Sequence, residues 1–186
     1  MRAEVTKKLF TVDEYYRMVD AGILNEDDRV ELIEGEIIEM SPIGGKHMSC
    51  VDRANDVFTS RLKGRALVSI QQPLRLNDYN EPQPDIVVLQ PRSDYYASKS
   101  HTPEDTFFVL EVSDSTLRYD TKVKLPIYAA SGVREVWIEN LQKDLLLVCR
   151  DPAGKQYTTQ LTLRRGESIS PMAFPDAVFK IEDLLG

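Results

Sequence analysis

The side chains best suited to chemistry are three charged groups set in apolar surroundings. Glu111 stands inside TFFVLEV, residues 106–112, where a carboxylate leaves water at a heavy cost unless it is paired or ligates a cation. A position facing solvent at the strand end, or a salt bridge to a neighbouring helix, satisfies it equally well. Asp85 follows Pro84 and opens the run DIVVL, 26 residues before Glu111. Two carboxylates meeting where neighbouring strands diverge form a site for a hard cation, although Pro-Asp is also a common turn dipeptide. The third group is a lysine in RYDTKVKLPIYAASG, residues 118–132. Helical spacing puts Asp120, Lys124 and Tyr128 on one face there, with Lys122 a competitor two residues before Lys124. Beside a cation-bound carboxylate pair, an ammonium positions a water and helps deprotonate it, while the cation lowers that water's pKa and stabilises charge on a phosphoryl oxygen. A lone helical lysine is simply solvated, so only the combination discriminates. Spacing leaves open whether Tyr128 belongs to the site or to the core.

These groups need elements to hold them. Thr11 with Glu14 makes a capping-box pattern and Gly22 a stop, which predicts a short helix over 11–21. ELIEGEIIEM, residues 31–40, alternates about Glu34-Gly35 and predicts a hairpin with one core face and one wet face. Met48, Val51, Ala54, Phe58 and Leu62 recur at helical spacing and predict an inward-packed helix ending near Gly64. Strands are expected over 66–76, 85–89, 106–112, 133–140, 145–150 and 157–163. A helix capped by Asp120 should run to Ser131, its first turn shortened or kinked by Pro126, and a short helix should close the chain at 181–185. TFFVLEV is apolar on both alternating faces, Phe107 with Val109 and Phe108 with Leu110 and Val112, so layers should cover it on both sides. This order predicts an α/β fold in a single domain. A mixed central sheet is flanked by helices, with an N-terminal helix and hairpin over 1–40, a core over 41–150 and a C-terminal extension over 151–186.

Composition narrows the function classes. The 186 residues are 42 % hydrophobic and 28 % charged, which excludes wholesale disorder and a membrane span. A net charge of -7 repels polyanions, so contact with nucleic acid must be local or cation-assisted. Arg61, Lys63, Arg65 and Arg75, with no acid from 61 to 77, form a candidate phosphate-tracking strip. Tyr95 and Tyr96 are candidates for stacking on bases. A solvated face and a sheet-edge cover explain these two features as well. Cys50 and Cys149 lie in no ligand spacing, which argues against a zinc site or disulfide scaffold and for a reducing cytoplasm. The opening MRAEVTKKLF lacks the apolar stretch of a secretory leader, and a cytoplasmic protein with no membrane contact is expected.

Three segments together carry a family likeness: QPDIVVL at 83–89, FFVLEVSDST at 107–116 and RYDTKVKLPIYAASGVREVWI at 118–138. They resemble the PD-(D/E)XK nuclease superfamily and, more closely, the Uma-two family of restriction-endonuclease-like proteins. The likeness extends upstream to RVELIEGEIIEMSPIGGKH, residues 29–47, and downstream to SPMAFPD, residues 170–176. It implies a restriction-endonuclease-like core in which Asp85 and Glu111 bind Mg²⁺, with Mn²⁺ as a substitute. Lys124 would complete the site, and nucleic-acid phosphodiester bonds, DNA first, would be cut by an endonuclease. Ser113 departs from the superfamily pattern, standing two residues after Glu111 where the lysine belongs. The family resembled places its lysine on the following helix, which Lys124 matches in a D-x-x-x-K spacing. Gln83 matches the family's Q-P-D, a position to orient a ligand carboxylate or contact substrate, with a turn amide fitting equally well. His47 matches the family's histidine at the site mouth, and Glu31 matches a position on the hairpin, where an exposed glutamate is the plainer expectation. Ser113, Asp120 and Lys122 complete the candidates for supporting or substrate-contacting roles. A homodimer is expected because two sites most simply cut two strands. The competing reading keeps the fold as a nucleic-acid-binding or protein-interaction domain with weak or lost catalysis.

Overall fold

The structure, a computed structural model, describes residues 6–25 and 27–185. The first five residues, on which the leader expectation partly rests, lie outside them. Among the described residues, no helix is long and apolar enough to cross a membrane.

The frame is a six-stranded sheet in the order β3 (Leu67–Ile70), β4 (Ile86–Leu89), β5 (Thr106–Ser113), β6 (Glu135–Asn140), β7 (Leu145–Ala153) and β8 (Gln156–Leu163). Only the central β5–β6 pair is parallel, because the chain crosses between them through a helical segment, whereas the other neighbours run antiparallel. That makes the sheet mixed, as expected. Both faces are covered. On one face, helix α2 (Gly45–Arg61) and helix α5 (Ile181–Leu185) close over Phe108, Leu110, Val112 and Trp137. Phe58, Phe108, Trp137 and Phe179 meet there, Phe58 edge-on to Phe108 at 5.2 Å and Phe108 stacked on Trp137 at 4.9 Å, geometries that suit the ring quadrupoles. On the other face lie Val87, Val109, Val136 and Ile138 with the crossover helix.

Several local expectations need correction. Met48 is 51 % exposed, because the inward face of α2 runs instead through Cys50, Val51, Ala54 and Phe58. The strand expected over 66–76 ends at Ile70: Gln71 adopts φ 48°, and Pro73 then has no N–H to give a ladder. Phe107 sits with Phe174 at 4.8 Å on the α2 side rather than with Val109, next to a register shift at Val88/Leu89.

Helix α1 (Val12–Asp20) starts on the reciprocal Thr11/Glu14 capping box. Strands β1 (Val30–Ile33) and β2 (Glu36–Glu39) form the hairpin. Its turn places Glu34 at φ 50° and Gly35 at φ 76°, the left-handed pair of a type I′ turn. The hairpin is tied to the sheet side by Glu34 N–H donating to Asn80 Oδ1 at 2.7 Å and by Glu81 N–H donating to the Leu32 carbonyl at 2.8 Å. Strand β1 is buried at Glu31, Leu32 and Ile33 in succession, so the expected alternation of wet and dry faces fails there.

The crossover after β5 is built differently from the simple capped helix expected. A turn of α-helix, α3 (Leu117–Tyr119), passes into a π-helical turn (Asp120–Lys124) and then into α4 (Leu125–Ala130). The Leu125 N–H reaches back to the Asp120 carbonyl, the wide i to i−5 bond of a π turn. Pro126, which has no N–H to offer, follows directly, and the wider turn absorbs the missing bond. Asp120 therefore lies inside the helical segment, and its side chain does not cap it. Beyond residue 150 the chain completes β7, supplies β8, adds the short pair β9 (Ser168–Ile169) and β10 (Phe179–Lys180), and gives Phe179, Ile181 and Leu184 to the α2-side core.

Candidate active site

Asp85 sits immediately before β4, one step beyond the Ile86–Leu110 pair, and so lies across from Glu111 on β5. Its Oδ2 accepts the Val112 N–H at 2.8 Å and contacts His47 Nε2 at 3.1 Å. The imidazole comes from the first turn of α2, which faces the ends of β4 and β5 there. Burial lowers the His47 pKa, but the Asp85 hydrogen bond and charge raise it more, leaving it above the ordinary value.

Glu111 is 3 % exposed, and a helical lysine and a tyrosine satisfy it. Lys124 Nζ donates to its Oε1 at 3.1 Å, and Tyr128 OH donates to the same oxygen at 2.6 Å. Oε2 takes no hydrogen bond from either. Burial drives the Glu111 carboxyl up to about 8 against the pull of Lys124, with Asp120 and Asp85 adding to the rise. Lys124 is itself 5 % exposed. Burial opposes its charge, yet Glu111, Glu31, Asp120 and Asp85 outweigh that cost and hold its pKa above the ordinary lysine value.

Glu31 joins the same cluster and corrects the expectation of an exposed hairpin glutamate: it is 3 % exposed. Its Oε2 lies 3.2 Å from Lys124 Nζ and accepts the Gln83 backbone N–H at 2.9 Å, while its Oε1 accepts from Tyr119 OH at 3.0 Å. Gln83 thus touches the site through its main chain and lines the pocket. Asp120 accepts from Ser113 Oγ and Thr116 Oγ1, both at 2.7 Å. Burial raises its pKa, with Lys124 and the two hydroxyls opposing. Ser113, at the strand position two after Glu111, therefore holds Asp120 in place. Lys122 is exposed and lines a different hollow, with Val123 and Pro126, so it does not reach the cluster.

A pocket of about 450 Å³ opens over this cluster, with Asp85, Glu111 and Lys124 among its lining and the β2–α2 loop along one side. Sequence reasoning missed Tyr119 and Thr116, since neither carries a charge and each acts through a distant or local carboxylate. Tyr128 is buried in the core and stands outside the pocket lining, but its hydroxyl reaches Glu111, and its spacing of four from Lys124 is the signal that places it on that face. Glu139 stands outside the pocket lining. Among the described residues, neither of its carboxylate oxygens has a hydrogen-bond partner, and both are buried. Burial drives its pKa far up, with Asp85 adding and Arg53 opposing. Its strand position, opposite Val112, looked like any core position from the sequence.

The basic strip survives only in part as a free surface. Arg61 pairs with Asp183, Arg65 with Asp176, and Arg75 with Asp13 and Asp78, while Lys63 is exposed and has no carboxylate partner among the described residues. Tyr96 is buried with its hydroxyl on the Gln90 carbonyl at 2.9 Å, and Tyr95, though exposed, lies outside the pocket lining.

Asp85 and Glu111 are the carboxylates that could hold a hard cation. Among the described residues, no three His, Cys, Asp or Glu side chains converge to form a full cage. Asp85 and Glu111 instead offer two carboxylates side by side, which is how Mg²⁺ is commonly held. Lys124 and Tyr128 both bond Glu111 Oε1, which leaves Oε2 without a hydrogen bond from either.

No curated protein matches this chain. Among solved structures, it is similar to a protein of Anabaena variabilis ATCC 29413 described as "a putative nuclease belonging to DUF820". The TM-score is 0.73 at 19 % identity, covering 95 % of this chain and 97 % of that one, a likeness that establishes the fold. The Uma2 family model, described as "Putative restriction endonuclease", matches residues 12–182. That span takes in the hairpin, all six strands of the central sheet and every residue of the Asp85–Glu111–Lys124 cluster, and the chain belongs to the Uma2 family.

Proposed function

We propose that this protein hydrolyses phosphodiester bonds in nucleic acid, DNA in the first instance, with Asp85 and Glu111 holding Mg²⁺, or Mn²⁺ in its place. One observation supports this above the others: a lysine from the crossover helix reaches Glu111 at 3.1 Å beside Asp85, at the floor of an open pocket. When bound, the cation supplies a water of lowered pKa and offsets charge on a phosphoryl oxygen.

The residues divide the remaining work. Asp85 is aimed by the Val112 N–H and His47, Glu111 by Tyr128, and Lys124 by the Glu31 carboxylate. Lys124 keeps its proton, because four carboxylates hold its pKa up. It therefore acts as a donor that orients the attacking water and the phosphoryl oxygen, and the proton leaving the water passes to bulk solvent through the mouth of the pocket. Glu31 and Tyr119 keep the ammonium pointed into the pocket. Cutting both strands of a duplex is most simply done by two copies of the chain; sedimentation tests for that homodimer.

Ser113 at the usual lysine position supports a second reading, a nucleic-acid-binding or protein-interaction domain with little catalysis. Cleavage of supercoiled, linear and single-stranded DNA with Mg²⁺ or Mn²⁺ separates the two. The nuclease reading expects cutting that Asp85→Ala abolishes and Lys124→Ala reduces about 10²–10⁴-fold. No cutting on any substrate, with nucleic-acid affinity unchanged in Asp85→Ala, would favour the binding domain.

A further inference from the structure

The pocket over the cluster is limited in volume, recessed and acidic on balance, and each of these properties limits what can enter. Glu111 and Lys124 are 3 % and 5 % exposed, so a phosphodiester reaches them only by coming down into the pocket. The available volume, about 450 Å³, lies at the lower end of the range for small-ligand sites and has the scale of one nucleotide unit. One side is apolar: Ile38 of β2 and Met40, Pro42 and Ile43 of the following loop line it. A base or sugar can pack there while its phosphate faces Asp85.

Charge argues the same way. Six carboxylates line the pocket against two permanent cations, Arg29 and Lys124. Lys124 is already shared by two carboxylates. Arg29 donates to the Ser41 carbonyl at 3.0 Å and has no carboxylate partner among the described residues. An intact duplex presents one phosphate per ~1.7 Å and demands several neutralising contacts. Of the basic strip that could have tracked it, Arg61, Arg65 and Arg75 are each held by a carboxylate, which leaves Lys63 alone on a chain of net charge -7.

From this we infer that the site takes a single unpaired strand or a frayed end, one nucleotide at a time, and excludes the interior of an intact duplex. The base or sugar rests on the Ile38–Met40–Ile43 wall, and few phosphates are engaged. This rests on the same site being a phosphodiesterase, and it removes the need for a second copy of the chain.

The test is fluorescence anisotropy with labelled 12-mers (single-stranded DNA, single-stranded RNA and blunt duplex DNA) in Ca²⁺, from 50 to 200 mM NaCl. Cleavage of the same oligonucleotides in Mg²⁺ runs in parallel. The expected result is at least ~10-fold tighter binding of a single strand, DNA or RNA, than of the duplex. The log–log salt slope should be about −0.7 to −1.4, as one or two phosphate contacts give on a single strand. Met40→Glu should weaken that binding at least ~5-fold with an unchanged melting temperature. Equal or tighter binding of the blunt duplex, or binding of neither form, overturns the inference. Single-strand preference without cleavage keeps this inference and fails the nuclease reading. Cleavage within a tightly bound duplex does the reverse.

Discussion

Lys124 brings its charge into a space that water barely reaches and finds two carboxylates waiting, Glu111 at 3.1 Å and Glu31 at 3.2 Å. The Glu111 partnership was half legible in the sequence, because a carboxylate in an apolar strand must be compensated and a lysine face follows in the next helix. The Glu31 partnership was not, since the two residues lie 93 positions apart and hairpin alternation sees only local faces. The excess of acid over base has a pH consequence. Glu111 titrates near 8 in the folded chain against an ordinary 4.5, and Glu139 is also shifted up. Both bind protons in the folded state that the unfolded chain releases, so stability is greatest below the unfolded pKa and falls as pH rises toward the folded values. In metal-free buffer the melting temperature should drop between about pH 5 and pH 8. Glu139→Gln should raise it at pH 8, because the amide removes a buried acid whose raised pKa makes the folded chain take up a proton there. A melting temperature that climbs over this range, or a Glu139→Gln variant less stable at pH 8, would show these carboxyls charged and compensated. Tyr128→Phe should slow cleavage while keeping the fold, by freeing Glu111 Oε1 from one of its two donors.

At the scale of elements, the interior strand, the two helices flanking it and the hairpin could all be read from periodicity and capping. The exceptions share a cause: tertiary partners override local signals. Asp120 has the composition of an N-cap but is consumed by Ser113 and Thr116, and the π turn appears where Pro126 withholds its N–H. The long run after Ala66 contains enough apolar residues for one strand, yet the left-handed Gln71 stops it. The hairpin turn is the most sensitive element. A Cβ on Gly35 would lie 2.7 Å from Leu9 Cβ, in a backbone with φ +76°. Gly35→Ala should therefore cost about 1–3 kcal/mol, and because β1 carries Glu31, it should also lower activity. A thermal melt with parallel assays checks this. Unchanged stability in the Gly35→Ala variant would mean the turn relaxes without strain, leaving Glu31 positioned by other contacts.

For the molecule as a whole, the mixed sheet and its two covering layers follow from pattern alone, while the pocket does not, since it arises from the hairpin, the β2–α2 loop and the crossover helix converging from distant parts of the chain. Its acidity gives the proposed cation a measurable linkage. At about 100 times the dissociation constant, a bound ion adds ~2.7 kcal/mol of stability. Saturating Mg²⁺ or Mn²⁺ should thus raise the melting temperature of the native protein by roughly 5–10 °C and should barely move that of Asp85→Ala. Equal shifts in both would place the ion elsewhere. The most direct measurement needs no nucleic acid: hydrolysis of bis(p-nitrophenyl) phosphate, a bare phosphodiester, by wild type and Asp85→Ala over a titration of Mn²⁺. The account predicts saturable, metal-dependent release of nitrophenol by the wild type and none above background by the variant. Equal rates in the two proteins, or release independent of metal, would contradict it.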